Sequence, residues 1–199
     1  MSPEPRLLAQ AAAALTDGAI VAFPTDTFYG LAVDPRNEEA VARLYRLKGR
    51  SPMSALTLIA ADSEQAMRAA IFNQTARRLA ERWWPGPLTI VAEALPVIPS
   101  ITLAGGRTAG IRVPDHVVAR GIARAFGFCI TATSANQSGQ PPLMAASEVR
   151  SSLPDVDLLV DAGDTPGGAP STIVDATARE LRLVRAGAIP WELVLEFLK

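Results

Sequence analysis

Apolar residues occur along the chain in short blocks separated by Gly, Pro and polar residues, and the length of these blocks predicts secondary structure. Several runs of four to six mostly apolar residues are typical of buried strands. These predicted strands cover residues 19–23, 55–60, 88–92, 110–113, 128–132, 158–161, 172–175 and 181–184.

Helical spacing of apolar residues, together with capping residues, predicts helices between these strands. The predicted helices comprise one ending at Asp17-Gly18, one from Asn37 to about Lys48-Gly49, one opened by Asp62 with Gln65, one over 75–82, one over 115–126 closed by Gly127, and a terminal one from Pro190. Strands and helices interleave without clean strand–helix–strand repeats, and the strands after residue 155 follow one another with only turns between them. The pattern predicts an α/β fold with a twisted mixed sheet and flanking helices.

Composition narrows the possible functions. The 199 residues are 49% hydrophobic and 20% charged, which is typical of a globular chain and argues against disorder. A net charge of −1 predicts no general affinity for polyanions, so any such site must be local. One cysteine, Cys129, and one histidine, His116, exclude an internal disulfide, a Cys-rich zinc site and any site that needs two His ligands.

The N-terminal segment faintly resembles a signal peptide, because Arg6 precedes an Ala- and Leu-rich run. Gln10 interrupts that run and Glu4 is acidic, so we interpret the segment as a first helix. No stretch has the roughly 18 apolar residues of a membrane span, and the lone Cys129 fits a reducing compartment. We therefore expect a cytoplasmic protein without membrane contact.

Hydroxyl residues and cations cluster where predicted strands and helices end. At residues 24–31, Thr25 and Asp26 could cap a helix or hold a ligand. At residues 46–54, Lys48 suits a helix C-terminus, whereas Arg50 with nearby serines also suits phosphate oxygens. Arg112 lies in an apolar run, so it needs an anionic partner from the protein or from a ligand.

Two further segments, 131–139 and 167–175 with 185–187, add small polar groups and an arginine. His116 and Cys129 are interpreted as helix-start and core residues. No Ser/His/Asp set and no carboxylate pair stands out. This inventory suits an enzyme that binds and orients an anionic substrate whose own groups react.

Taken in order, these segments resemble the YrdC-type threonylcarbamoyl-AMP synthase family. The resemblance extends from about Gly18 to Gly187 and rests on seven motifs in register. They are Pro-Thr-Asp-Thr-x-Tyr-Gly-Leu at 24–31, Lys-Gly-Arg at 48–50, Trp-Pro-Gly-Pro-Leu-Thr at 84–89, Arg-Val-Pro-Asp-His at 112–116, Ser-Ala-Asn-x-Ser-Gly at 134–139, Ser-Thr-Ile at 171–173 and Arg-Ala-Gly at 185–187.

The resemblance implies a single YrdC-like domain over residues 1–199, built around a concave cavity like the short family members. It implies an enzyme that joins L-threonine, bicarbonate or CO2, and ATP into threonylcarbamoyl-AMP and pyrophosphate, with Mg²⁺ on the ATP phosphates. The product would pass to partner proteins that modify the adenosine beside the anticodon of certain tRNAs, with possible transient contacts to those proteins and to tRNA.

Site roles implied by the resemblance follow the motifs. The threonine-binding residues would be Thr27, Arg112, Ser134 and Ser171, with Arg112 on the carboxylate. The ATP-binding residues would be Lys48, Arg50, Ser54, Thr108, Asn136 and Arg185, of which Lys48 and Arg50 on the phosphates are also the predicted catalytic residues.

Some positions depart from the family pattern. Ala55 replaces a proline, Ile59 stands where some members have a threonine-contacting His, and Met144 replaces a small hydroxyl residue. Two other hypotheses therefore stay open. One is a non-synthesising paralogue that binds RNA or nucleotide in the same cavity, and the other is a carbamoyl-transferring relative with a different acceptor.

Overall fold

Most of the predicted blocks form strands and helices in the computed structural model, which describes residues 4–199. The helices in this range are α1 Pro5–Thr16, α2 Glu38–Lys48, α3 Ser63–Met67, α4 Gln74–Trp83, α5 Val117–Phe126, α6 Ala146–Ser152 and α7 Trp191–Leu198. The strands are β1 Val21–Pro24, β2 Tyr29–Ala32, β3 Thr57–Ile59, β4 Ala70–Ile71, β5 Leu88–Ala94, β6 Thr108–Arg112, β7 Ile130–Ser134, β8 Leu158–Leu159, β9 Thr172–Asp175 and β10 Arg182–Arg185.

The strands join into one sheet in the order β10-β9-β5-β6-β3-β7-β2-β1-β8, and β4 pairs with β5. The pairs β1–β8, β3–β6 and β5–β9 are parallel, and the remaining pairs are antiparallel. The prediction of a mixed sheet with flanking helices is therefore confirmed.

Local capping chemistry begins and ends the helices where the sequence predicts. The side chain of Asn37 accepts a hydrogen bond from the backbone N–H of Ala40 at the start of α2, and Asp62 accepts one from Gln65 at the start of α3. Gly49 and Gly127 follow α2 and α5 with φ of 57° and 80°, the left-handed conformation that glycine adopts without strain.

Alternation along the strands separates the core from the open face of the sheet. At the β1 end, Val21 and Phe23 pack with α1 and α5, while Ala22 packs in the cluster that contains α2 and α6 residues. Around β5, Leu88 and Ile90 lie in the cluster packed against α3, α4 and α7. Helices pack on both faces of the sheet at the β1 end but on one face around β5, where Thr89, between the core residues Leu88 and Ile90, lines a cavity.

Three features differ from the sequence predictions. Thr25 and Asp26 do not cap a helix, because they lie in the turn between β1 and β2. β8 and β9 are not joined by a mere turn. β8 pairs with β1 and β9 pairs with β5, so residues 160–171 connect distant strands of the sheet. The elements β2, α6 and β4 also went unpredicted. The short α6 and β4 bury few apolar residues, whereas β2 is fully buried but falls in a segment that was interpreted as a cap or a ligand site.

No helix among residues 4–199 is long and apolar enough to cross a membrane.

Candidate active site

The open face of the sheet forms the floor of a cavity of about 560 Å³. That volume lies in the range of roughly 300–1,000 Å³ typical of small-molecule sites. The cavity is lined by Thr25, Thr27, Phe28, Tyr29, Gly30, Arg50, Ala55, Thr57, Ile59, Thr89, Arg112, Ala132, Thr133, Ser134, Pro142, Gly168, Pro170, Ser171, Ile173 and Arg185.

Strand register brings residues that are distant in sequence together on this floor. Arg185 of β10 is paired with Ile173 of β9, which is paired with Thr89 of β5. Further along the sheet, Arg112 of β6 is paired with Ile59 of β3. Neighbouring residues on paired strands project to the same face, so the floor combines cations, hydroxyls and apolar side chains.

The same register continues to the other side of the cavity. Thr57 of β3 is paired with Ala132 of β7, and Ser134 of β7 is paired with Gly30 of β2. A Cβ atom at Gly30 would lie 3.4 Å from the Phe23 ring and 3.5 Å from the Thr133 carbonyl oxygen, which are ordinary van der Waals distances, so the site is packed but has room for a Cβ atom.

Arg50 and Arg185 are held at the cavity by hydrogen bonds to the protein. Arg50 donates to the backbone oxygens of Ser54 (3.2 Å) and Ala55 (3.0 Å) and to the Thr133 hydroxyl (3.2 Å). Arg185 donates to the backbone oxygen of Ser171 at 3.1 and 2.7 Å and to its hydroxyl at 3.0 Å. Burial lowers the pKa of Arg185, yet the normal value is high enough that the group stays charged at neutral pH.

Arg112 is buried at the end of β6 and has a protein anion beside it. Its Nε atom donates to the Gly86 carbonyl oxygen at 2.9 Å, and its Nη2 atom pairs with the Asp26 carboxylate. Burial lowers the pKa of Arg112, and the negative charge of Asp26 acts in the opposite direction. The expected need for an anionic partner is thus met by Asp26, while Arg112 still lines the cavity.

The three predicted threonine-binding hydroxyl residues, Thr27, Ser134 and Ser171, lie on different elements but line the same cavity. A tight turn sets the direction of Thr27, because the Thr25 hydroxyl accepts from the backbone N–H groups of Thr27 (3.2 Å) and Phe28 (3.3 Å). Ser171 shares a hydrogen bond with the Thr89 hydroxyl at 2.8 Å. These contacts orient the Thr27 backbone and the Ser171 hydroxyl with respect to the floor.

Lys48 and Asn136 lie behind Ser134 and do not line the cavity. The Lys48 ammonium donates to the Ser134 carbonyl oxygen, to the Asn136 carbonyl oxygen (2.6 Å) and to the Asn136 side-chain oxygen (3.1 Å). Burial, with a smaller effect from the charge of Arg50, lowers the pKa of Lys48 to about 8. In this structure Lys48 therefore supports the loop after β7.

Ser54 and Thr108 are exposed and also lie outside the cavity lining. Ser54 contacts Arg50 only through its backbone oxygen. Thr108 begins β6, four residues before Arg112, which corresponds to roughly 13 Å along a strand. The structure therefore brings together six of the predicted site residues, which are Thr27, Arg50, Arg112, Ser134, Ser171 and Arg185.

Sequence reasoning did not assign several lining residues to the site. Tyr29 and Thr89 lie inside quoted motifs, so motif membership could have identified them. Ile173 also lies inside a quoted motif, at 171–173, and Ile59 was noted within a predicted strand and as a departure from the family pattern, yet neither was assigned to the floor that both line. Their placement depends on strand register, which the sequence does not specify.

The charge of the cavity favours an anionic ligand. Its lining contains Arg50, Arg112 and Arg185 but no Asp or Glu. Among residues 4–199, no group of three or more His, Cys, Asp or Glu side chains could hold a metal ion.

His116 and Cys129 lie outside the cavity lining. His116 accepts from the N–H of Ala119 at the start of α5, and Cys129 is buried in the core, as the sequence analysis predicted.

Comparisons with known proteins agree with this geometry. Residues 13–187 match the family model Sua5_yciO_yrdC, whose description reads "Telomere recombination". The chain is 36% identical over 184 residues to a protein of Pyrococcus abyssi (strain GE5 / Orsay) named threonylcarbamoyl-AMP synthase, matching 92% of this chain and 54% of that relative. It is 38% identical over 180 residues to a Chromohalobacter salexigens protein of the same name, matching 87% of this chain and 94% of that relative.

A solved structure described as P. abyssi Sua5 complexed with L-threonine superposes with a TM-score of 0.93 at 34% identity, covering 98% of this chain and 58% of that one. The chain thus spans about half the length of the P. abyssi protein. The match over residues 13–187 and the shared fold show that the chain belongs to the Sua5/YciO/YrdC family.

Proposed function

We propose that the chain is an L-threonylcarbamoyladenylate synthase, which joins L-threonine, bicarbonate or CO2, and ATP. The observation that carries the proposal is the cavity floor itself, where three arginines and several hydroxyls converge and the lining contains no Cys, His, Lys, Asp or Glu. The names of the similar proteins add support. The substrates must then supply the reacting groups.

The reaction needs no covalent intermediate with the protein. The neutral amine of threonine adds to CO2 to give a carbamate and releases a proton, or reacts with bicarbonate and releases water. A carbamate oxygen then attacks the α-phosphorus of ATP, and the bond to the bridging oxygen of pyrophosphate breaks. The products are threonylcarbamoyl-AMP and pyrophosphate, so the protein contributes orientation and stabilisation of charge.

Residues of the cavity divide between the two ligands in this proposal. Arg112 binds the threonine carboxylate, and the hydroxyls of Thr27, Ser134 and Ser171 orient the amino acid. A guanidinium offers paired donors that match carboxylate and phosphate oxygens. Arg50 and Arg185 therefore serve the ATP phosphates from the two sides of the floor.

The further predicted contacts of ATP with Lys48, Ser54, Thr108 and Asn136 stay predictions, because these residues lie outside the lining. Mg²⁺ belongs to the substrate as its complex with ATP. The cavity lining offers no carboxylate to hold the ion. The roles assigned to the protein residues, which are binding and orientation of the substrates, therefore do not involve a bond to the metal.

The product carries a mixed anhydride and is consumed by a transfer reaction. We assign that transfer to partner proteins that modify tRNA, in the cytoplasm, where ATP and tRNA are both present. The free, buried Cys129 is compatible with a reducing compartment.

Pyrophosphate release from ATP tests the proposal directly. Purified protein should release pyrophosphate only when threonine and bicarbonate are both present, and mass spectrometry should detect threonylcarbamoyl-AMP. Release without threonine, or no release under any of these conditions, would contradict the proposal.

The same assay separates the other hypotheses. A carbamoyl-transferring relative would accept another acceptor in place of threonine. A non-synthesising paralogue would bind RNA or nucleotide, with RNA affinity falling steeply as salt rises, and would release no pyrophosphate. The comparisons support the synthase and give no support to that paralogue.

A further inference from the structure

Asp26 makes a buried ion pair with Arg112 but does not itself line the cavity. The side chain of Asp26 is 17% exposed and that of Arg112 is 9% exposed. Removing two charges from water costs free energy that a good geometry must offset. Because Asp26 contacts Arg112 and lies outside the cavity lining, this ion pair bears on the orientation of Arg112 and not on direct contact with a ligand.

The guanidinium of Arg112 is fixed at two of its three nitrogen atoms. Nε donates to the Gly86 carbonyl oxygen, and Nη2 pairs with Asp26. Among residues 4–199, the Nη1 atom of Arg112 donates no hydrogen bond to the protein. This atom is accessible, because it is not one of the buried polar atoms that lack a partner. The protein thus holds one part of the group and leaves donor capacity facing the cavity.

Asp26 is held in turn by the β1–β2 turn. The Thr25 hydroxyl donates to the Phe28 carbonyl oxygen at 2.7 Å and accepts from the N–H groups of Thr27 and Phe28, so the residues on either side of Asp26 are constrained. The same turn directs Thr27 into the cavity. One rigid turn therefore sets both a lining hydroxyl and the partner of Arg112.

The second oxygen of Asp26 has no partner. Oδ1 is buried and makes no hydrogen bond in the described structure. A buried carboxylate oxygen without a partner is costly, and in a merely structural ion pair a neutral, well-packed pair would serve as well. The retained charge is explained if the orientation of Arg112 matters for binding.

We infer that Asp26 is a positioning residue, which holds the guanidinium of Arg112 so that its free donors face the carboxylate of the amino-acid substrate. The inference rests on the proposed function for the identity of that substrate. It assigns Asp26 no contact with ligand, so its effect must pass through Arg112.

Kinetics of the Asp26→Asn variant test this inference. The change keeps the shape of the side chain and removes its charge. We expect the KM for threonine to rise at least tenfold, with the KM for ATP changed less than twofold and kcat changed less than threefold. A general loss of folded structure would lower the amount of active enzyme and would not raise one KM selectively.

Asp34 provides a matched control. It pairs with Arg36 at 2.9 Å, its side chain is 16% exposed, and it lies outside the cavity lining. Asp34→Asn should leave the KM for threonine unchanged. Equal effects of the two substitutions on that KM would overturn the inference.

A double-mutant cycle tests whether Asp26 acts through Arg112. In an Arg112→Lys background, Asp26→Asn should raise the KM for threonine less than twofold further. A full additional tenfold rise would show that Asp26 acts independently of Arg112 and would overturn the inference.

Should Asp26→Asn fail to fold, Asp26→Glu carries the test. It keeps the charge and displaces the carboxylate, so the KM for threonine should rise at least threefold while the KM for ATP stays within twofold. An unchanged KM for threonine would refute the positioning role.

A measurement without substrate separates this inference from the proposed function. In ¹⁵N-labelled protein, the Nε–H signal of Arg112, assigned with Arg112→Lys, should exchange slowly with water and shift in Asp26→Asn or Asp26→Glu but not in Asp34→Asn. An unshifted Nε–H signal of Arg112 in the Asp26 variants would contradict the inference even if the synthase assay succeeds. A shift together with no threonine-dependent pyrophosphate release would remove the proposed function and leave the role of Asp26 in holding Arg112.

Discussion

The Lys48 ammonium nitrogen lies 2.6 Å from the carbonyl oxygen of Asn136 and 3.1 Å from its side-chain oxygen. Lys48 ends α2, and Asn136 follows β7. The backbone repeats the connection, because the N–H of Ser138 donates to the Lys48 carbonyl oxygen at 2.9 Å. The end of α2 is therefore tied to the loop that follows the Ser134 side of the cavity.

The pKa of Lys48 can be measured directly, because the sequence contains only one other lysine, Lys199. Burial and the charge of Arg50 lower the Lys48 pKa to about 8. NMR of ¹³C-labelled lysine should therefore show one side chain titrating near pH 8, and Lys199→Arg should assign that signal to Lys48. The absence of any lysine titrating near pH 8 would contradict the buried position of Lys48.

The same shift predicts how Lys48 affects stability. Below pH 8 Lys48 is protonated in the folded and the unfolded chain, and the cost of its buried charge is fully present. Between pH 8 and 10.5 the folded chain loses this proton while the unfolded chain keeps it, so the contribution of Lys48 to the free energy of unfolding rises with pH. Denaturant unfolding of wild type and Lys48→Met at pH 7.5 and 10 should show this rise in wild type only.

Arg50→Ala should raise the KM for ATP strongly. A charge-assisted hydrogen bond to phosphate contributes about 1.5–3 kcal/mol, which corresponds to roughly a 10–100-fold loss in kcat/KM for ATP. Arg46→Ala, at an exposed position on α2 outside the lining, serves as the control and should be near wild type. Unchanged kinetics in Arg50→Ala would remove Arg50 from the site.

Arg185→Ala should weaken ATP binding more than Arg182→Ala does. Both arginines belong to β10, but Arg185 lines the cavity, while Arg182 pairs with Asp175 and neither of these two residues is part of the lining. Calorimetry with a non-hydrolysable ATP analogue should show at least a tenfold rise in Kd for the first variant and less than a twofold rise for the second. Similar affinities in the two variants would contradict the assignment of Arg185 to ATP.

Cys129 should be unreactive in the folded protein. Its side chain is fully buried, and burial raises the pKa of the thiol to about 12, whereas alkylation requires the thiolate. Iodoacetamide at pH 8 should leave native protein unmodified and fully active, and should add one group after denaturation. Modification of the native protein with loss of activity would assign Cys129 a role that the structure does not give it.

Local chemistry was sufficient to predict many helix ends. Asn37 and Asp62 cap their helices through their own side chains, and Gly49 ends α2 in the left-handed conformation. These signals act over three or four residues, so they can be recognised without knowledge of the fold.

Non-local pairing was not predictable from the sequence in the same way. The need of Arg112 for an anion was evident, but only the fold identifies Asp26 as that anion, 86 positions away. The position of Lys48 at a helix end was predicted, whereas its burial against Asn136 depends on where β7 ends. Ile59 reaches the floor because β3 pairs with β6 and β7, a register that no local pattern encodes.

The cavity floor takes side chains from strands that are far apart in the chain, with β10, β9, β5, β6, β3 and β7 in consecutive positions of the sheet. A molecule bound there contacts most of the sheet at once, so local fraying of one hairpin does not release all of its contacts. Its binding energy therefore adds to the free energy of global unfolding by mass action. Ligand affinity and thermal resistance of the whole protein are consequently coupled through the sheet.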